Sequence, residues 1–174
     1  MLDKVFPVHN SDNQSWRVGF SYLVALSVLF IDQFTKLLAE RFLLVPGRRV
    51  PVISGFDFFN LFYIKNPGGA WGILAGYRIF FIVVAIIVSI VCVWLIHSYY
   101  RESFIFPIAL VLGGALGNLL DRFITTGGVV DFLDFGFYSV RWPTFNFADF
   151  FLTVATFWLI FIIFKAEFSS SDDC

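Results

Sequence analysis

The sequence predicts an all-α polytopic membrane protein of four transmembrane helices with a small β-sheet outside the membrane. Of its 174 residues, 59% are hydrophobic and 14% are charged, whereas soluble domains are about 25% charged. Its 25 phenylalanines give more apolar surface than one core of this size buries. Four uncharged apolar runs are separated by polar connections. These observations exclude a soluble enzyme, and a net charge of −1 with 12 Lys and Arg gives no basic surface for nucleic acid.

The four apolar runs predict four transmembrane helices. A helix needs about 20 residues to cross about 30 Å of hydrocarbon. The run from Ile79 to Ile96 is the clearest, whereas the other three become polar at one end, so the adjoining polar turn must complete each of them. We therefore expect spans at about residues 18–39, 79–98, 104–122 and 148–165, within a single membrane domain of residues 1–174.

The connections between the spans are unequal, and the two long loops, 41–78 and 123–147, must emerge on the same side of the membrane. The segment Asn60–Asn66 alternates like a half-buried strand and ends at Pro67, which predicts the small sheet. We also expect one amphipathic segment near residues 41–50 or 72–78. The long-loop side carries seven Lys or Arg residues against four on the other side, which by itself points those loops toward the cytoplasm.

Polar residues cluster at one depth of the predicted bundle. Charged side chains near the hydrocarbon are costly and usually face the interior of a bundle, so each one is a candidate for function. Asp32, Thr35 and Lys36 stand at i, i+3 and i+4, and so do Asn118, Asp121 and Arg122, which places each trio on one helix face. A common cavity is therefore expected where spans one, three and four meet, with these members: Asp32 and Lys36, then Asn118, Asp121 and Arg122, then Asp149.

Two acids with apolar sequence neighbours, Asp131 and Asp149, are the candidates for chemistry. Burial and a second nearby carboxylate separate the titrations of such a pair, so that one carboxylate acts as a base while its protonated partner polarises a peptide carbonyl. The two His and two Cys lie too far apart to suggest a metal site or a disulfide framework, and no Ser is paired with a His. The available chemistry is therefore that of aspartates, without a cofactor.

Structural interpretations stand beside these functional ones. Each acid of the pair is also consistent with a helix N-cap or a loop salt bridge. Asp32 and Lys36 fit a structural ion pair, and Asn146 lies close enough to Asp149 to cap the fourth span. A small proton-coupled transporter would use some of the same acids as a relay, although a relay requires acids at several depths. A structural assembly factor would lose no chemistry when any single Asp is changed.

Five sequence blocks resemble the lipoprotein signal peptidase family, also called signal peptidase II, and they occur in the family's order along nearly the whole chain. Two departures from the family pattern are Pro67, in place of a small polar residue, and Trp71, in place of Phe. The blocks are Asp32-Gln33-Phe34-Thr35-Lys36, Asn66-Pro67-Gly68-Gly69-Ala70-Trp71, Gly113 to Arg122, Val129-Val130-Asp131-Phe132 and Phe145-Asn146-Phe147-Ala148-Asp149.

The resemblance implies an intramembrane aspartyl endopeptidase that cleaves bacterial prolipoproteins just before a diacylglyceryl-modified cysteine. It implies Asp131 and Asp149 as the catalytic pair. We also expect a monomer in contact with membrane lipids, located in the bacterial cytoplasmic (inner) membrane. Both termini would then be cytoplasmic and the sheet and active site extracytoplasmic, opposite to the charge count. We expect substrate contact or support of the site from the remaining candidates: Asn66, Gly68, Asn118, Asp121, Arg122, Asn146, Asp32 and Lys36.

Overall fold

A computed structural model describes residues 14–43, 48–69, 72–98 and 102–171 of the chain. Within these residues, four helices are long and apolar enough to cross a membrane, and a four-stranded antiparallel sheet accompanies them. The predicted fold class is therefore confirmed. In chain order the elements are α1 Gln14–Phe42, β1 Val50–Ile53, β2 Phe56–Asn66, α2 Arg78–Ser98, α3 Glu102–Ile124, β3 Val129–Phe137, β4 Val140–Arg141 and α4 Phe147–Ser171.

The third helix, α3, lies at the centre of the bundle. Buried residues make up 67% of its most apolar window, against 22% or less in the other three helices. Its glycines allow this, because a Cβ added to Gly113 would lie 2.6 Å from the carbonyl oxygen of Ala25 in α1. A Cβ on Gly117 would lie 2.5 Å from Oδ2 of Asp32. These glycines thus bring α1 against α3 and make room for a buried carboxylate between them.

The sheet has the strand order β1-β2-β3-β4. The strand predicted at Asn60–Asn66 is present and begins earlier, at Phe56. Opposite β3, the register shifts between Leu61 and Ile64, so that Asn66 pairs with Val129. This register brings the end of β2 beside Asp131, which is opposite Ile64.

The sheet is joined to the start of α4 through Phe145, whose backbone exchanges hydrogen bonds with that of Leu133 at 2.8 and 3.0 Å. At the outer end of the sheet, buried Asp134 pairs with the guanidinium groups of Arg49 and Arg141, at 3.0 and 2.7 Å. These contacts fix β3 relative to both the outer strands and the helix that follows. The sheet is therefore a rigid support for any residue that β3 and the start of α4 carry.

The amphipathic segment expected near residues 41–50 or 72–78 is only partly described. Residues 44–47 lie outside the described residues, and so does Trp71, the second departure from the family pattern. Residues 72–77 form a succession of tight turns, with Gly72, Leu74 and Gly76 at positive φ. Ile73 and Tyr77 in these turns are exposed, as side chains at a membrane surface are.

Candidate active site

A cavity of about 480 Å³ opens where β2, β3, α3 and the start of α4 meet. Of the residues singled out from the sequence, six line it directly: Asn66, Gly68, Asn118, Arg122, Asp131 and Asp149. The other four, which are fully or almost fully buried, lie behind its wall: Asp32, Lys36, Asp121 and Asn146. All ten candidates are thus brought to one region of the fold.

Asn146 connects the two candidate acids. Its Nδ2 donates to Oδ1 of Asp131 at 2.7 Å, and its Oδ1 accepts from the backbone N–H of Asp149 at 2.9 Å. Oδ2 of Asp149 accepts in turn from the backbone N–H of Asn146 at 3.3 Å. This reciprocal pair is a capping box, with Asn146 as the N-cap of α4 and Asp149 at N3. The capping role and the contact with Asp131 therefore coexist in one side chain.

Two further amides hold the carboxylates from the other side. Asn66 Nδ2 donates to Oδ2 of Asp131 at 3.0 Å, and Asn118 Nδ2 donates to Oδ1 of Asp149 at 2.7 Å. The same Asn66 side chain also accepts from the N–H of Gly68, at 3.0 Å. The donor of Gly68 is therefore already used within the loop. Each acid is oriented by hydrogen bonds to both of its oxygens, as a preorganised site requires.

Behind the cavity, Lys36 joins two buried carboxylates. Its Nζ lies 2.7 Å from Oδ2 of Asp32 and 3.0 Å from Oδ2 of Asp121. Asp32 also accepts from the backbone N–H of Ala148 at 2.9 Å, and Asp121 accepts from that of Val130 at 2.9 Å. Ala148 and Val130 are the residues immediately before Asp149 and Asp131. The Lys36 network thus fixes the backbone on which each candidate acid stands.

Arg122 secures the loop that follows β2. Its guanidinium donates to the carbonyl oxygens of Asn118 at 3.0 Å and Gly68 at 3.2 Å. It also lies over the ring of Phe81, 4.9 Å from the centroid. Arg78 caps the end of α3 by donating from Nε to the carbonyl oxygen of Arg122 at 2.8 Å. These contacts hold a positive charge at the rim of the cavity.

The environment of Asp131 favours a shared proton. This side chain is 2% exposed, and burial, followed by the charge of Asp149, raises its pKa to about 7. Hydrogen bonds from Asn66 and Asn146 act in the opposite direction but are the smaller effect. Titration of such a pair belongs to both groups together. Asp131 therefore remains partly protonated near neutral pH.

Several lining residues were not predicted. Trp142, Pro143 and Thr144 form one wall, and Thr153 lies one helical turn after Asp149. The sequence around these residues does not indicate that they line the cavity. Their position depends on how the segment between β4 and α4 folds back toward the helix bundle. Gln33 was also missed as a support of the site, although its amide donates to Oδ1 of Asp121 at 2.9 Å. Within the described residues, no group of three or more His, Cys, Asp or Glu is placed to hold a metal ion.

The fold is that of an integral membrane protein. Its cavity is lined by two aspartates, and one asparagine forms hydrogen bonds with both of them. Residues 24–165 match the family model described as Signal peptidase (SPase) II. The chain belongs to the signal peptidase II family, a peptidase family. Membership favours the protease hypothesis over the transporter and the assembly factor.

Individual relatives agree with this assignment. The lipoprotein signal peptidase of Caldanaerobacter subterraneus subsp. tengcongensis is 41% identical over 145 residues, which cover 82% of this chain and 95% of that protein. The Staphylococcus aureus lipoprotein signal peptidase is 35% identical over 162 residues, covering 92% of this chain and 97% of that protein. A bacterial membrane enzyme structure, determined by the in meso method at 2.3 Å resolution, superposes with a TM-score of 0.76 at 36% identity. The match covers 84% of this chain and 88% of that one.

Proposed function

We propose that this protein is an intramembrane aspartyl endopeptidase that removes the signal peptide from diacylglyceryl-modified bacterial prolipoproteins, cutting just before the lipidated cysteine. Asp131 and Asp149 are the catalytic pair in this proposal. The observation that carries it is the position of both acids at one cavity, joined through Asn146. Family membership supports the choice of substrate.

In the proposed mechanism, the pair begins the reaction with one proton. The ionised carboxylate removes a proton from a water molecule, and the resulting hydroxide attacks the scissile carbonyl carbon while the protonated carboxyl donates to the carbonyl oxygen. The tetrahedral intermediate then collapses, and the carboxyl that received the proton from water delivers it to the departing amine of the lipidated cysteine. The proton given to the carbonyl oxygen returns to the other carboxylate, which restores the pair. The pKa of about 7 for Asp131 supports this scheme, because a carboxyl with that pKa is available in both its protonated and its ionised form near neutral pH.

The remaining candidates support the pair or the substrate in this proposal. Arg122 and Asn118 line the cavity beside the acids, where they would bind carbonyl or ester oxygens of the substrate. Asn66 orients Asp131, and the buried network of Lys36 holds the two backbone segments in register. Because Lys36 does not line the cavity, we assign it a positioning role.

We further propose that the protein lies in the bacterial inner membrane, with both termini cytoplasmic and the sheet and cavity at the extracytoplasmic face. The contrary charge count includes cations that the fold itself uses. Arg49 and Arg141 pair with Asp134, Lys65 lies 3.7 Å from Glu40, and Arg78 caps α3. Charges engaged in this way are poor labels of topology.

Accessibility of single cysteines tests the orientation. Ser54→Cys and Ser139→Cys, made singly with Cys92→Ala and Cys174→Ala, should react with an impermeant maleimide added to intact spheroplasts. Ser103→Cys should react only after lysis. Labelling in the opposite order would place the carboxylates at the cytoplasmic face and refute the proposed location.

Cleavage in a purified system tests the activity. The protein in detergent should release a signal peptide from a diacylglyceryl prolipoprotein, and mass spectrometry should find the new N-terminus at the lipidated cysteine. The same precursor without the lipid is the control, and it should remain intact. Cleavage at another bond, or equal cleavage of both precursors, would contradict the proposed specificity.

A further inference from the structure

A second cavity, the aromatic groove, lies between the sheet and the first turn of α4. Its volume is about 450 Å³. The residues that line this groove and not the first cavity are Phe59, Leu133, Phe135 and Phe147. None of these side chains is polar. The rings of Phe59 and Phe135 are stacked with centroids 4.3 Å apart, which makes one wall rigid before any ligand enters.

The aromatic groove adjoins the cavity that contains the acids. Trp142, Phe145 and Phe150 line both spaces. Phe150 directly follows Asp149 in α4. The residues that the two spaces share are therefore aromatic, and the groove lies beside the acids on an apolar side of their cavity.

The direction of the aromatic groove follows from β3. Side chains two residues apart share one face of a strand, so Asp131, Leu133 and Phe135 follow one another along it. The register shift opposite this segment inserts its extra residue in β2. At about 3.4 Å per residue, Leu133 lies about 7 Å and Phe135 about 14 Å along the strand from Asp131. The aromatic groove thus lies along β3, beginning near the acids and extending from Leu133 toward Phe135.

We propose that the aromatic groove binds one acyl chain of the diacylglyceryl group on the substrate cysteine. This assignment rests on the proposed function, because it presumes that the cysteine is lipidated. The lipid is attached through the sulfur of the residue whose amine is released, so a short thioether and glyceryl linker separates its chains from the scissile peptide. An apolar space adjacent to the cavity of the acids fits that constraint.

The size of the aromatic groove also favours an acyl chain over a side chain of the signal peptide. An apolar cavity of about 150 Å³ holds one benzene-sized group. The groove, at about 450 Å³, is several times larger than a single such side chain needs. Two of its lining residues, Trp142 and Phe150, are exposed, so the groove is open at the surface where they lie.

Chain-length dependence tests the proposal. Two substrates with the same peptide, one carrying dipalmitoyl and one carrying dibutyryl glyceryl, are cleaved by wild-type protein, by Phe135→Ala and by Phe59→Ala in the same detergent. Each variant should lower kcat/KM for the long-chain substrate about tenfold, as expected for lost contact with about two methylene groups. The short-chain substrate should change less than about twofold, because its chains end before these rings.

Phe137→Ala is the matched control. Phe137 lies on the same strand and contacts the ring of Phe58 with centroids 4.8 Å apart, but it does not line the groove. This variant should keep the wild-type ratio between the two substrates. Equal losses on both substrates in the groove variants, or the same altered ratio in Phe137→Ala, would overturn the proposal. Failure of the proposed function would look different, because neither substrate would then be cleaved by wild-type protein.

A binding measurement tests the same point without turnover or a groove mutation. A dipalmitoyl substrate with a photoactivatable diazirine midway along one chain is bound to Asp149→Asn protein and irradiated. Crosslinks should map to the segments that form the groove, 59–61, 133–135 and 145–150. Crosslinks confined to α2, or to the lipid-facing side of α4 after Thr153, would refute the assignment.

Discussion

Replacement of Asn146 by alanine is the most informative single change behind the cavity, because this residue performs two separable tasks. Its side chain is fully buried, at 0% exposure, and it both caps α4 and donates to Asp131. Loss of an N-cap costs about 1 kcal/mol. A buried carboxylate that loses a hydrogen-bond donor costs about 1–3 kcal/mol more.

The expected loss of stability for Asn146→Ala is therefore about 2–4 kcal/mol. At about 2–4 °C per kcal/mol for a chain of this size, the Tm should fall by about 4–16 °C. Thermal unfolding of the purified protein in one detergent measures this. Activity should fall further than stability predicts, by about 10- to 100-fold in kcat/KM at a temperature where the variant is folded, because Asp131 is no longer held in position.

The dependence of kcat/KM on pH should shift in one particular direction in Asn146→Ala. The Asn146 hydrogen bond favours the ionised form of Asp131, so its removal raises the pKa of Asp131 above about 7. Loss of the last proton from the pair then requires a higher pH. The alkaline limb of kcat/KM against pH should therefore move to higher pH in the variant.

Asn60→Ala is the matched control for this prediction. Asn60 is also buried, at 1% exposure, and it donates to the backbone and side chain of Asp57, away from the cavity. Its replacement should lower the Tm while leaving kcat/KM and the pH profile near wild type. If both asparagine variants lost activity only in proportion to stability, with no displacement of the alkaline limb, the coupling of Asn146 to Asp131 would be refuted.

Three further predictions concern the cations and the chemistry. Arg122→Ala should raise KM more than it lowers kcat in steady-state cleavage, and a loss confined to kcat would argue against its role in substrate binding. Lys36→Met should cost about 3–5 kcal/mol in thermal unfolding, because Asp32 and Asp121 lose their buried cation, whereas Lys65→Met at the surface should cost about 1 kcal/mol or less. Activity should survive strong chelators, and a loss that a divalent ion restores would reassign the acids as metal ligands.

Much of the fold could be predicted because the length of an apolar run reflects the part of a helix that lies within the hydrocarbon of the bilayer. The polar ends of a helix beyond the hydrocarbon give no such signal. For this reason α1 begins at Gln14 and α4 continues to Ser171, both beyond the apolar runs. The start of α4 at Phe147 follows from its Asn146 cap, which is a local signal. The extent of β2 was underestimated because Phe56 and Phe58 precede the alternating segment from which the strand was predicted.

The arrangement of the site was predictable only in outline. Helix periodicity placed Asp32 with Lys36 on one face, and the structure pairs them at 2.7 Å. The contact between Asp32 and the N–H of Ala148 joins residues 116 positions apart, which no local pattern encodes. The same is true of Asn66 and Asp131, which meet because of the register of β2 against β3. The local sequence therefore indicates which residues belong to the site. Tertiary packing determines which of them contact each other.

The most direct test of the central claim is single-turnover cleavage by Asp131→Asn and Asp149→Asn, with substrate binding measured on the same samples. Both variants should bind the diacylglyceryl prolipoprotein and fail to cleave it, since each keeps its shape but loses a transferable proton or charge. Asp134→Asn is the control, because Asp134 is equally buried on β3 but pairs with arginines outside the cavity. It should cleave at near the wild-type rate. Full cleavage by either Asp131→Asn or Asp149→Asn would contradict the aspartate-pair mechanism.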